Sequence, residues 1–392
     1  MLRTLMLALS SLIVVGAVVS MPEAALQAAL QGIALWWGIV FPGLLPFFVL
    51  AELLRAFGVL HGLSVLLELP MRRLLGWPGG AAWAIAIGWI AGYTAGAEAT
   101  AALRATEQIS RRQAQWLLAF SQMPSPMLVL IVIGAGFLHE PLYGLMIALA
   151  VWLSAIAGLL LLRVVRATDR QIAIDNRTHR HNLISRVVIA IRDGQRSDGR
   201  GLGQVLGEAV TGSIQKLMTI GGLIILGSLA SRLLAIALPE SLSALAFPGW
   251  FDSHLGAYAL SGQLRDHSTP LVLAAIAATL SWGGWSSLLQ ARSVMARTDL
   301  RFAPFIFARA GHAALAFVTM LLLWQPFSRL ASSAAWAPIA DSPRPPLGQL
   351  RLQDLPQLWS LMPAVLLSWL ALWAIILLLA GLYWTVHRRS PA

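Results

Sequence analysis

The stretch Gly92-Tyr93-Thr94-Ala95-Gly96-Ala97-Glu98, followed by Arg104-Ala105-Thr106-Glu107, returns about 192 residues later as Gly284-Trp285-Ser286-Ser287-Leu288-Leu289-Gln290 with Ala296-Arg297-Thr298-Asp299. Gly92 falls on Gly284, Tyr93 on Trp285, Glu98 on Gln290, Thr106 on Thr298 and Glu107 on Asp299. Each copy is a glycine-punctuated apolar segment, then a short basic turn, then another apolar segment. Upstream, Trp36–Leu54 resembles Lys216–Leu234 more weakly. Long internal repeats with interrupted helices characterise secondary transporters, whose substrate sites lie near the bilayer midplane where discontinuous helices of the two halves meet.

The surrounding composition sets the medium. Of 392 residues, 58% are hydrophobic and 11% charged, with mean hydropathy +0.73. A water-soluble domain carries roughly 25% charged residues, so this chain cannot cover a water-facing surface. Spans long enough for about 30 Å of hydrocarbon, which takes about 20 apolar residues, are expected at 4–20, 34–56, 81–103, 114–138, 142–163, 205–236, 269–291, 305–325 and 359–386. The segments 58–75 and 242–264 are too interrupted for plain spans and read as re-entrant hairpins or interfacial helices. The expected fold is an all-α integral membrane bundle of about 8–10 helices, with two related halves and broken or re-entrant helices. Its expected parts are an N-terminal helix (1–25, read as an uncleaved span), a first half (26–165), an Arg-rich loop (166–203), a second half (204–326), a Pro-rich loop (327–357) and a C-terminal helix with a basic tail (358–392).

Arginine excess orients the chain. The loop 164–203, the turns at Arg104, Arg111 and Arg112 and at Arg292, Arg297 and Arg301, and the tail at Arg388–Arg389 all read as cytosolic; 327–357 then lies outside. This topology makes the two copies of the 192-residue repeat parallel. An inverted repeat needs one apparent span to be a hairpin, and 112–138, broken at Met123-Pro124-Ser125-Pro126, is the best candidate by sequence. The net charge of +11 comes in short basic loops without interleaved aromatics, which gives no nucleic-acid signature. There is no cysteine, hence no thiol chemistry. No catalytic motif gives a positive signal for an enzyme, and no ligand spacing calls for a metal or cofactor.

Candidate functional residues sit at the breaks. Pro42, Gly43 and Pro46 interrupt one span, either as a discontinuous helix lining a cavity or as a packing kink. Ser121, Gln122 and Ser125 put hydroxyls and an amide beside the Pro124–Pro126 break. Ser286 and Gln290 occupy the matching stretch of the second copy. Gly92, Gly96, Gly283 and Gly284 permit close backbone approach. Arg309 and His312 share a helix face; Arg309 either holds an anion or snorkels to the nearby cytosolic end. Glu52 and Glu98 are expected to pair with Arg232 or Arg309 or to carry a proton. Asp252, His254, Asp266 and His267 read as solvated loop residues.

Several of these stretches carry a family resemblance. Trp37–Leu54, Gly92-Tyr93 with Gly96-Ala97, Phe120-Ser121 through Ser125-Pro126, Gly283-Gly284-Trp285-Ser286 with Gln290, and Thr298-Asp299-Leu300-Arg301 through Arg309 and His312 resemble, in order, the sporulation integral membrane protein YlbJ (stage V sporulation protein SpoVV) family. That family falls in the nucleoside-recognition, or Gate, group, which is similar to concentrative nucleoside transporters. The resemblance implies a bacterial membrane protein that moves dipicolinic acid, a planar dianion, across the outer forespore membrane. Ser121, Gln122, Ser125, Ser286, Gln290 and Arg309 are then the expected substrate contacts. Where the family has Pro-Ser and a following Lys, this chain has Thr94, Ala95 and Glu98. The expected partners are a small anion and the lipid bilayer; a coupling ion and self-association are left open. The alternatives are a transporter of nucleosides or other small solutes, and a scaffold for spore-envelope assembly acting through 164–203.

Overall fold

The computed structural model describes residues 2–72, 76–165 and 183–331, so the expected span at 359–386 and the loop 327–357 beyond residue 331 lie outside the described residues. Among the described residues there are fourteen α-helices and no strand. Five continuous or near-continuous stretches are long and apolar enough to cross a membrane: Pro22–Ala56, Pro141–Leu161, Leu202–Ala237, Thr269–Met295 and Phe302–Phe327. Their outward faces carry Leu26, Leu30 and Trp37, then Leu206, Met218 and Leu226, then Phe307 and Leu322, all exposed. In water such a surface would drive association; in a bilayer it faces acyl chains.

Helix α1 (Leu2–Ser20) precedes a 35-residue helix built from α2 (Pro22–Leu35), a π-helical turn (Trp36–Val40) and α3 (Phe41–Ala56). Pro42 and Pro46 each remove a backbone donor, yet the helix stays continuous because the π turn widens its path just before Pro42. The discontinuous-helix reading of 41–48 is therefore overturned: the helix runs through unbroken. Pro42 is exposed, and Gly43 makes a close approach to the Val132 side chain. Helix α10 (Leu202–Ala237) packs antiparallel to this element: Ser228 donates to Ala28 O at 2.8 Å, Gly32 lies on Ile225, and Trp36 Nε1 donates to Leu217 O at 2.9 Å. Helices α8 (Pro141–Val165) and α14 (Phe302–Ala331) form a second antiparallel pair, with Tyr143 beside Trp324 and Ser154 beside His312.

Between these frames lie two hairpins. Helices α5 (Gly80–Ala91) and α6 (Tyr93–Ala105) meet at Gly92, whose φ of 96° suits a residue without a Cβ. The chain reverses there. A Cβ built on Gly88 would lie 2.8 Å from Gly96 Cα, whereas eight residues of uninterrupted helix would hold them about 12 Å apart. The root residue Gly80 returns to Leu103 and Gln108. The second hairpin enters from the opposite face. Its descending arm is two 3₁₀ turns, Glu240–Ala246 and Pro248–Trp250; its ascending arm is α11 (Ser253–Ser261). The Cα atoms of Gly249 and Gly256 touch. Thus 81–103 is a hairpin rather than a span, and 242–264 is re-entrant as expected.

Each hairpin is followed by a broken crossing. The first is α7 (Arg111–Ser121), an irregular turn at 122–125, and a π-helical segment, Leu128–Phe137. A capping box of Ser110 and Gln113 starts α7, and Pro124 with Pro126 ends it. This element runs on past its break, so the hairpin expected at 112–138 is instead at 80–105. The second broken crossing is α12 (Thr269–Trp282) and α13 (Gly284–Met295), parted by Gly283 (φ 87°) and Gly284 (φ 78°).

The two copies now align element for element: long helix, hairpin, broken crossing, long helix. Ser121 O wedges between Gly88 and Gly96, and Thr279 wedges between Gly249 and Gly256. These equivalent contacts are about 160 residues apart along the chain. Because the hairpins enter from opposite faces and the long helices pair antiparallel, the repeat is inverted. The 192-residue sequence match pairs α6 with α13 instead, which are parallel neighbours that each start at a central glycine and end at a basic turn.

On the arginine-rich face, α9 (Leu183–Asp198) packs on α4 (Val59–Pro70), with Gly58 and Gly62 admitting Ile191, and Arg186 ion-pairs with Glu68. The segment 58–75 is thus no span. Glu52 pairs with Arg55 and Arg200, and Glu98 is exposed, so neither meets Arg232 or Arg309.

Candidate functional site

The two hairpin tips and the two helix breaks converge on one region. Tyr93, first residue of α6, donates its hydroxyl to Leu280 O in the last turn of α12 at 2.8 Å, beside Ser253 of the opposite hairpin. Gln122, at the first break, donates through Nε2 to Ser287 O in α13 at 3.0 Å. Ser286 N–H donates to Phe251 O at the tip of the second hairpin. The glycine-marked helices from both halves therefore touch.

A guanidinium lies at the centre. Arg309 is fully buried, so the snorkelling reading is overturned. A charged side chain at bilayer depth costs at least ~2.5–3.5 kcal/mol unless paired or wet, yet among the described residues no carboxylate contacts it. Its partners are helix ends: Nη1 donates to Ala119 O (3.2 Å) and Gln122 O (2.7 Å) where α7 stops, and Nη2 lies 3.5 Å from Leu280 O where α12 stops. Those carbonyls have lost their intrahelical donors at the breaks, and a helix C-terminus carries partial negative charge that favours a cation. The Tyr93 ring lies 6.0 Å from the guanidinium carbon. His312 stands beside Arg309 and reaches Val151 O and Ser154 Oγ, each at 3.1 Å.

The expected site residues distribute as follows. Ser121, Gln122 and Ser125 are buried at the first break; Ser121 Oγ donates to Gly96 O and pairs with Thr100 Oγ1 at 2.9 Å, while Ser125 Oγ accepts from Leu128 N. Ser286 is buried at the second break, and Gln290, one turn further on and partly buried, donates to Ser286 O. Four side-chain atoms on residues at the two breaks and on Arg309 are buried without a hydrogen-bond partner: Gln122 Oε1, Ser281 Oγ, Trp282 Nε1 and Arg309 Nε. Buried polar groups are almost always satisfied, so these open donors and acceptors are where a polar guest or water would bind.

Sequence reasoning missed two residues. Asp252 and His254 are buried, not solvated; Asp266 and His267 are exposed as expected. Asp252 caps α11, its Oδ1 accepting from His254 N (2.8 Å) and facing His254 Nδ1 (2.9 Å), while Oδ2 accepts from Ser286 Oγ at 2.7 Å. The signal available was an Asp immediately ahead of a short apolar helix, the pattern of an N-cap. No group of three or more metal-ligating side chains forms among the described residues.

On the arginine-rich face the halves are tied by a two-point ion pair, Arg104 Nε and Nη2 to Asp299 Oδ1 and Oδ2 at 2.9 and 3.0 Å. Alongside it, Gln115 exchanges two hydrogen bonds with the Arg301 backbone. The Arg104 hydrogen bond holds the Asp299 carboxyl below its usual range, and Arg200 does the same to Asp198.

A family model described as nucleoside recognition (Gate) matches residues 37–141, which cover α3, the first hairpin and the first broken crossing. The sporulation integral membrane protein YlbJ of Bacillus subtilis is 33% identical over 343 residues, which is 83% of this chain and 84% of that protein. The chain belongs to the YlbJ family. It is a multi-pass integral membrane protein, and its Gate match spans the half that contributes Gln122 and Tyr93 to the central region. No solved structure matches this YlbJ-family chain.

Proposed function

We propose that this protein is a sporulation-associated transporter that moves a small anion of the dipicolinate type across a membrane by alternating access, and that it works at the outer forespore membrane. The observation that carries the reading is the inverted repeat whose two hairpins enter from opposite faces and meet, tip to break, around unsatisfied polar atoms. Irregular backbone at membrane depth persists where it lines a protein-enclosed or wet region, and each hairpin closes the path to its own face. Gln122, Ser281 and the free Nε of Arg309 are the groups left to meet a solute; Ser121, Ser125, Ser286 and Gln290 shape the backbone around them. The planar dianion follows from the family resemblance and suits a centre holding a buried cation. The nucleoside-recognition description of the Gate match supports a second reading, a nucleoside as cargo.

The test is uptake of labelled dipicolinate into proteoliposomes, with unlabelled nucleosides as competitors. Uptake above empty vesicles that falls in Gln122→Ala supports the reading. Competition by nucleosides moves the assignment to the second reading, and absence of any solute uptake rejects transport.

A further inference from the structure

Asp252 is the one carboxylate buried among the described residues, and the solute-facing groups named above do not include it. It sits at the tip of the second hairpin, against the Gly284 break in the middle of the crossing Thr269–Met295. Its two oxygens do different work. Oδ1 is committed to its own hairpin, capping α11 and meeting His254 Nδ1; Oδ2 reaches across to Ser286 Oγ on α13. The hairpin is therefore clamped to the broken helix by two bonds, Ser286 Oγ to Asp252 Oδ2 and Ser286 N to Phe251 O. Only the first depends on charge.

We propose that Asp252 is a proton-binding site that couples movement of the second hairpin to protonation. In the ionised state Ser286 donates to Oδ2, a charge-assisted bond roughly twice as strong as a neutral one. A proton arriving from the face through which this hairpin enters forms an O–H bond at Oδ2, which neutralises the carboxylate and leaves only a neutral hydrogen bond with the Ser286 hydroxyl, which can accept as well as donate. The side-chain half of the clamp loses about half its strength, and the tip parts from α13 more readily. Loss of that proton to either face restores the clamp. The groups facing Asp252 are the titratable His254 on its own arm, Ser286 and Gly284 from α13, Gly227 from α10, and Tyr93 from α6, with the Arg309 charge of α14 turned to helix-end carbonyls beyond Tyr93. Ionisable residues at membrane depth characteristically serve proton relays in transporters.

This rests on the transport reading, so two measurements separate the failures. In proteoliposomes loaded with labelled dipicolinate as probe, an imposed proton gradient is expected to change wild-type flux several-fold. Asp252→Asn, whose amide oxygen still caps α11 while its Nδ2 donates to Ser286 Oγ in a fixed neutral bond, is expected to keep flux while losing the response to the gradient. A gradient response that survives in Asp252→Asn overturns the proposal, as does a wild type with flux but no response. Independently of any substrate, hydrogen–deuterium exchange of purified protein is followed against pH across residues 248–256. Beyond the intrinsic chemical rate, exchange is expected to rise at low pH in wild type, to be pH-independent in Asp252→Asn, and to be high at every pH in Ser286→Ala. Equal pH profiles in all three would reject the coupling whether or not dipicolinate is the cargo.

Discussion

Replacing Arg309 by methionine, which keeps most of the side-chain length and removes the fork, isolates what the buried cation does. In the wild type Nη1 satisfies Ala119 O and Gln122 O, while Leu280 O at 3.5 Å is at the limit of a hydrogen bond and contributes little. Each orphaned buried carbonyl costs ~1–3 kcal/mol, and loss of contact with the Tyr93 face adds less than that. Removal of a desolvated charge returns part of the sum. The expected net destabilisation is about 3 kcal/mol, at the low end of the ~3–5 kcal/mol seen when a buried charge partner is deleted. On the scaling of 2–4 °C per kcal/mol for 150–250-residue domains, this is about 6–12 °C in melting temperature, and less for a longer chain. The assay is thermal unfolding of purified protein in detergent, with Arg309→Lys beside it. Lysine keeps the charge without the fork and should fall between the two. An Arg309→Met protein as stable as wild type but unable to transport would refute the helix-end argument and make Arg309 a solute ligand alone.

Other substitutions test the packing and the closed face. Gly96→Ala places a methyl group on the Ser121 carbonyl and should abolish well-folded yield, whereas Gly207→Ala, on an open stretch of α10, should leave the melting temperature unchanged or raise it by the ~1 kcal/mol by which alanine outdoes glycine in helices. Folding depresses the carboxyl pKa values of Asp198 and Asp299 from 3.8, so the stability they add is complete above about pH 4 and disappears as pH falls through their lower folded values. A pH series of melts should therefore show no contribution from Asp299→Asn in the acid limit. Breaking the Arg104–Asp299 pair should cost at most ~1 kcal/mol of stability. It should nonetheless open the arginine-rich face: in this cysteine-free chain a single Ser287→Cys should react faster with an impermeant thiol reagent in Arg104→Glu, and return toward the parent rate when Asp299→Arg is added.

The membrane class, the long helices and the sites of both breaks were legible because hydropathy, proline and glycine act locally. The pairing of halves was not. The match between Gly92-Tyr93 and Gly284-Trp285 reflects a shared local task, a helix that starts at mid-membrane and ends in a basic turn, and that likeness hid the inverted relation. The hairpin at 80–105 could not be told from a span because one glycine reverses the chain without any polar interruption. Ser121, Gln122, Ser286 and Arg309 do come together, since polar residues beside breaks have few other partners. Asp252 and His254 escaped notice because burial of a loop tip depends on what the opposite half places over it.

Each hairpin is pinched where Gly88 meets Gly96, or Gly249 meets Gly256, with a residue of the neighbouring crossing seated in the notch. With no side chains between the arms to yield, neither hairpin can open by spreading its legs. It has to swing as a stiff prong from its root, near Gly76 or Gly262, each with open space about it.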